Sequence, residues 1–172
     1  MRRLLPARLA LHLSPVPEQG KFINANLRER SDLKHIVDET VQAYGKVNIL
    51  VNNAHVSKQV MITETTPGDL VLSFENSFYP TFFLMQLCYP HLKETKGSVI
   101  NFASGAGLSG MPTQAAYGSA KEAIRGLSRI AANEWGADGI NVNCISPIAN
   151  SPGVQKWSEH FPAEYQAMIL AT

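Results

Sequence analysis

The chain has 172 residues, 45% of them apolar and 17% charged, with a net charge of +1. One domain of this size buries about 70% of its unfolded surface, and the composition suits an α/β protein. A charge balance this even, with no long run of one sign, gives no electrostatic support for binding nucleic acid or acidic lipid. No stretch approaches the roughly 18 uninterrupted apolar residues that would cross a membrane.

Residues 1–20 are basic and lack an acid until Glu18, but Pro6 and Arg8 interrupt their apolar part. No small-residue cleavage site follows, so the segment reads as an atypical, poorly ordered leader before a domain over 21–172. Residues 21–26 fit a short strand. Ser31 as N-cap and Asp32 in the first turn open a helix. Its apolar stripe is Leu33, Ile36, Val37, Val41 and Tyr44, and Gly45 closes it. Residues 47–51 are a second, largely apolar strand. It runs into Asn52-Asn53-Ala54, residues suited to a tight turn.

After a loop over 55–66, Pro67 opens a long helix reaching residue 87 or beyond. Pro80 is expected to kink it and Pro90 to end it. Leu70, Phe74, Phe78, Phe82, Leu84 and Leu87 make it apolar on several sides, so it should be buried by a sheet and by a partner subunit. Asn76 lies within it. Residues 98–103 form a strand ending at Ser104, then comes a glycine-rich turn, then a helix over 113–135. Gly139 precedes a strand over 140–145 that stops at Ser146-Pro147. The remainder is loop with a short helix near 163–170.

Alternating strands and helices of this kind predict a parallel sheet with helices on both faces. Ligands in such sheets bind outside the strands' carboxyl ends. Asn52-Asn53-Ala54, Ser104 and Pro147 all fall there. Beside them, Tyr117 and Lys121 lie four apart on one helix face. An ammonium next to a phenol favours the phenolate, which suits proton exchange near neutrality. Residues 105–110 (Gly-Ala-Gly-Leu-Ser-Gly) also match the glycine pattern of a dinucleotide phosphate loop. Met111-Pro112 separates the last glycine from the helix, however, and no acid ends a following strand. An active-site turn is the better reading.

Together these segments resemble the short-chain dehydrogenase/reductase family. Asn52-Asn53-Ala54-His55 is similar to its Asn-Asn-Ala-Gly signature, and Asn101-Phe102-Ala103-Ser104 to the strand ending in its catalytic serine. Tyr117-Gly118-Ser119-Ala120-Lys121 is similar to its Tyr-x-x-x-Lys motif, 13 residues after that serine. Asn76 matches its active-site asparagine, and residues 134–147 resemble the run into its sixth strand. The resemblance implies a partial Rossmann-like, doubly wound parallel sheet. It implies an oxidoreductase using NAD or NADP to interconvert a small-molecule carbonyl and a secondary alcohol. Tyr117 would be the acid/base, Lys121 would tune it and bind the nicotinamide ribose, Ser104 would polarise the carbonyl, and Asn76 would hold a relay water. Asn26, Asn52, Ala54 and Pro147 would line the cofactor, together with Tyr117 and Lys121. Association of copies through helices 67–89 and 113–135 would follow.

The family's first βαβ unit, with its glycine-rich loop, has no counterpart before residue 20, and its last strand has none at the other end. The expected chain is therefore truncated at both ends. The alternative to catalysis is a non-catalytic family member or interaction subunit that cannot bind the dinucleotide normally. His55 and Ile148 replace glycines near the cofactor's path. A serine hydrolase built on Ser104 lacks a histidine and an acid placed to activate it. Cys88 and Cys144 lack metal-ligand spacing, so no metal site is expected. They read as a reduced pair in a cytoplasmic protein.

Overall fold

The computed structural model describes residues 20–147, 152–163 and 165–166. The leader, apart from Gly20, and Ile148 lie outside the described residues. Helix α1 spans Arg30–Tyr44 and buries Leu33 and Val37. Its cap is Glu29, two residues before the expected Ser31. Asp32 anchors the start instead, its Oδ2 accepting the Asn26 N–H at 2.8 Å. Gly45 closes the helix at φ 75°, a left-handed conformation that glycine adopts without strain.

Residues 21–26 form no strand. A strand needs a neighbour to take its backbone hydrogen bonds, and none pairs with this segment among the described residues. Phe22 stays 69% exposed, and a Lys21–Glu39 ion pair ties the segment to α1.

Strands β1 (Ile49–Asn52), β2 (Ser98–Phe102) and β3 (Asn141–Ile145) form a parallel sheet in the order β1-β2-β3. Asn52 lies beside Asn101, and Asn101 beside Cys144. Alternate residues face opposite sides. Val99 and Asn101 are fully buried on one side, with Leu50, Asn52, Val142 and Cys144 aligned to them. The core there joins Leu33 and Val37 of α1, Leu84, Met85, Cys88 and Leu92 of the long helix, and Ala131. The opposite face leaves Ile49, Val51 and Ile145 exposed. Of the two helical layers expected, the described residues form one. Right-handed crossovers that keep stepping the same way across a sheet place their helices on the same side, and this strand order never reverses.

The long helix is one rod in three parts: α2 (Pro67–Ser73), a π-turn (Phe74–Phe78) and α3 (Tyr79–Thr95). Thr66 and Asp69 cap each other reciprocally, with Pro67 in the first turn, a capping box. Pro80 does its work through the π-turn. It has no N–H to return to the Asn76 carbonyl, and the backbone widens so that the Tyr79 N–H reaches Phe74. Pro90 does not end the rod, which continues to Thr95. Leu92, wholly buried, holds the last turn down, and the Gly97 N–H closes onto its carbonyl at 2.8 Å. A Cβ on Gly97 would meet the Asn48 carbonyl at 2.4 Å, so glycine is required there.

The glycine-rich segment after β2 is a one-turn helix, α4 (Gly105–Ser109), and α5 spans Ala115–Trp135. A further helix, α6 (Pro152–His160), occupies a stretch expected to be loop. Pro152 suits a first helical turn. The helix expected over 163–170 lies mostly outside the described residues.

Candidate active site

Ser104 leaves β2 fully extended and caps α4, its Oγ accepting the Ala106 N–H at 3.2 Å. A capping hydroxyl spends a lone pair and keeps its proton available to another acceptor. Alongside, α5 presents Tyr117, Lys121, Arg125 and Ser128 at successive turns of one face. Lys121 is 3% exposed and donates to the Phe102 carbonyl at 2.7 Å. Burial pushes its ammonium down to about 8, opposed by the nearby Cys144 thiol. Its Nζ stands 5.8 Å from the centre of the Tyr117 ring. Tyr117, Lys121 and Ser104 are therefore gathered at the carboxyl end of β2.

Two residues complete this corner that the sequence reading did not place there. The Arg125 guanidinium donates to the Ser104 carbonyl at 2.9 Å and to Ser146 Oγ at 3.2 Å, and its Nε pairs with Glu122. It ties the ends of β2 and β3 to α5. Its position four residues after Lys121 was the available signal. His55 was expected near the cofactor's path. Its ring lies 4.7 Å from that of Tyr117, tilted by 40°. Desolvation and the Lys121 charge lower its pKa to about 4.

The remaining expected residues divide. Asn76 sits in the π-turn, which packs against α5. Its amide donates back to the Leu72 carbonyl at 2.8 Å, and Pro80 leaves its own carbonyl without the usual helical donor. Asn76 makes no direct hydrogen bond to Lys121 among the described residues. Asn52 is 8% exposed, and its amide donates to Asn101 Oδ1 at 2.9 Å, so its side chain serves the sheet. Asn101 continues inward to Ser128 Oγ and to Met85 Sδ. Ala54 is exposed at the end of β1, in a cavity of about 150 Å³ shared with Leu27, Asn53, Pro80 and Thr81. Asn26, next to Leu27, is exposed and accepts the Arg28 N–H. Pro147 is exposed beyond β3.

The glycines of 105–110 have a packing role. A Cβ on Gly107 would come within 2.7 Å of Glu122 and 3.0 Å of the Gly118 carbonyl. Gly107 thus lets α4 close against the tyrosine helix. Before that helix, Thr113 holds φ at 66°, an outlier for a β-branched residue. Its carbonyl accepts the Val60 N–H at 3.0 Å, pinning the 55–61 segment beside α5.

A parallel sheet with helices packed against it and its strand ends on one rim is a Rossmann-like α/β fold. The family model for short chain dehydrogenases matches residues 6–160, and the chain belongs to that family. It is 44% identical over 135 residues to a 12α-hydroxysteroid dehydrogenase of a Clostridium species, covering 78% of this chain and 52% of the relative. It is 28% identical over 136 residues to the 3-oxoacyl-[acyl-carrier-protein] reductase FabG of Thermotoga maritima, covering 78% and 55%. Among solved structures, ElxO with NADP bound superposes with a TM-score of 0.75 at 30% identity, over 81% of this chain and 58% of that one. The Cj0485 dehydrogenase superposes at 0.74 and 30%, over 84% and 56%. The chain spans about half the length of the curated relatives it matches.

Proposed function

We propose that this chain carries the catalytic residues of an NAD(P)-dependent oxidoreductase that interconverts a small-molecule carbonyl and a secondary alcohol. The observation that carries the reading is the buried Lys121 beneath the Tyr117 ring, with the Ser104 hydroxyl at the adjoining strand end. Tyr117 gives or takes the proton of the alcohol oxygen. Lys121, charged at neutral pH even after its downward shift, sets a positive charge beside the Tyr117 ring. Ser104 donates its free hydroxyl proton to the same oxygen, stabilising charge that develops there. Asn76 lies in the π-turn packed against the helix of Lys121, and its role in this reading is to hold a relay water.

The strand-end residues fit a dinucleotide. Ala54 and Pro147 offer small or rigid surface at two strand ends, Asn26 lies beside the β1 cavity, and Lys121 keeps two N–H groups beyond the one given to Phe102. Asn52 contributes only backbone. The bound nicotinamide supplies hydride chemistry. ElxO was solved with NADP, which supports the cofactor class without selecting between NAD and NADP.

We extend the reading to self-association through helices 67–89 and 113–135. Leu70, Val71 and Tyr79 are exposed on the first and Ile130 on the second, an apolar surface of the kind buried between subunits. Among the described residues no helix is long and apolar enough to cross a membrane. Cys88 and Cys144 are unpaired, which supports a cytoplasmic setting.

Fluorescence titration of the purified chain with NADH and NADPH tests the proposal. Saturable binding at micromolar cofactor is expected, with Tyr117→Phe retaining binding and losing turnover. No binding up to millimolar cofactor overturns it in favour of a non-catalytic family member.

A further inference from the structure

His55 stands where the family signature has glycine, and the structure gives it a specific neighbour. Its imidazole packs 4.7 Å from the Tyr117 ring at a 40° tilt, inside the range in which aromatic pairs attract. Among the described residues the Tyr117 ring meets the Lys121 ammonium, 5.8 Å from its centre, and the imidazole of His55. The first sits on the same helix. The second comes from the loop after β1, a separate element, so it can hold the phenol where the helix alone leaves rotamer freedom. That loop is itself pinned, since the Val60 N–H bonds to the Thr113 carbonyl two residues before α5 begins. The residue as a whole is exposed while the part of its ring packed on Tyr117 is desolvated, so the imidazole forms part of the wall between the Tyr117–Lys121 pair and solvent.

We propose that His55 is a positioning residue for Tyr117, its ring holding the phenol in the rotamer that stands over Lys121. It acts through orientation and transfers no proton itself. Desolvation against the neighbouring ring, with the Lys121 charge adding to it, keeps the imidazole neutral near neutral pH, which avoids like-charge repulsion within the corner. This inference rests on the reading of Tyr117 as the acid/base, and its test separates the two.

The full chain is prepared as wild type, His55→Gly, His55→Phe and Tyr117→Phe, the last to assign the Tyr117 ring signals by NMR. In His55→Gly those signals should move toward the values of an unpacked tyrosine, and in His55→Phe they should return most of the way. With cyclohexanone and NADH or NADPH as probes, His55→Gly should lower kcat about two- to tenfold, the range a ring pair of this kind is worth. KM should change little, and His55→Phe should restore kcat. Unmoved Tyr117 signals in His55→Gly overturn the inference. So does moved signal with kcat unchanged or raised. If no protein binds either dinucleotide, the oxidoreductase reading falls, and the ring signals alone still decide whether His55 holds Tyr117.

Discussion

Lys121 donates its ammonium to the main-chain carbonyl of Phe102 at 2.7 Å, so the helix bearing Tyr117 is tied to the last residue of β2, two before Ser104. Burial depresses the lysine from its ordinary 10.5 to about 8. Between those values the unfolded chain keeps a proton that the folded chain has given up, so stability rises with pH across that window. Below about 8 both states are protonated and the contribution is flat, at its least favourable. Wild type should therefore gain stability relative to Lys121→Met as pH climbs from about 8 toward 10.5, read from urea midpoints. Parallel curves for the two proteins would reject a strained, buried ammonium. The same substitution should abolish turnover, since the charge beside Tyr117 is gone.

Arg125 holds the backbone of Ser104 and the hydroxyl of Ser146 at once, with its side chain only 14% exposed. Hydrogen bonds from a charged group are worth about 1.5–3 kcal/mol each. Arg125→Met should lower Tm by roughly 2–4 °C for each kcal/mol lost and reduce kcat more than it raises KM. Arg125→Lys should recover part of the stability and little of the rate, because an ammonium lacks the planar fork that reaches two acceptors. Full recovery by lysine would show that only charge matters at this position.

The strand ends were legible because each carries its own chemistry. Asn52-Asn53-Ala54, Ser104 and Ser146-Pro147 are small or polar residues that stop apolar runs, and a parallel sheet brings such ends to one rim. The sharing of one helix face by Tyr117 and Lys121 was legible from their spacing, and the Lys121 ammonium does stand 5.8 Å from the Tyr117 ring centre. What escaped depends on contacts between distant segments. Nothing local in His55 points to Tyr117, and its neighbour is fixed only when the Val60–Thr113 bond brings the two segments together. The strand expected over 21–26 had adequate local composition, but no segment among the described residues pairs with it. The helix runs on past Pro90 to Thr95 because the burial of Leu92 compensates for one lost helical bond. The helix cap was displaced from Ser31 to Glu29 because the Asp32 carboxylate reached back to Asn26, a choice propensity does not encode.

The glycine pattern at 105–110 separates a phosphate loop from a packing device by substitution. Gly107→Ala should cost about 1–3 kcal/mol, the usual penalty of overpacking, because its Cβ would crowd Glu122 and the Gly118 backbone. Gly105→Ala should be nearly neutral, since nothing lies within 4 Å of the added methyl. Gly110→Ala should cost about 1 kcal/mol through its φ of 65°. A loop that cradled phosphates would lose dinucleotide affinity in the Gly105 and Gly107 variants alike. Affinity unchanged in Gly105→Ala, beside a destabilised Gly107→Ala, is the expected pattern in cofactor titration and thermal melting.

Beneath the site, Asn101 is wholly buried and joins β1 to α5 through Asn52 and Ser128. An amide in that position fixes strand register, because a one-residue slip would leave it unpaired in the core. Asn101→Leu should cost about 2–4 kcal/mol, since it strands the Asn52 amide without its acceptor. Adding Asn52→Leu removes the stranded group, while Ser128 keeps its bond to the Ile124 carbonyl at 2.7 Å. The double variant should therefore be no less stable than Asn101→Leu alone, and a double-mutant cycle in urea should show coupling above about 0.5 kcal/mol. Strict additivity would mean the two asparagines act independently, and would remove the network as the reason β1, β2 and α5 meet in register below Ser104.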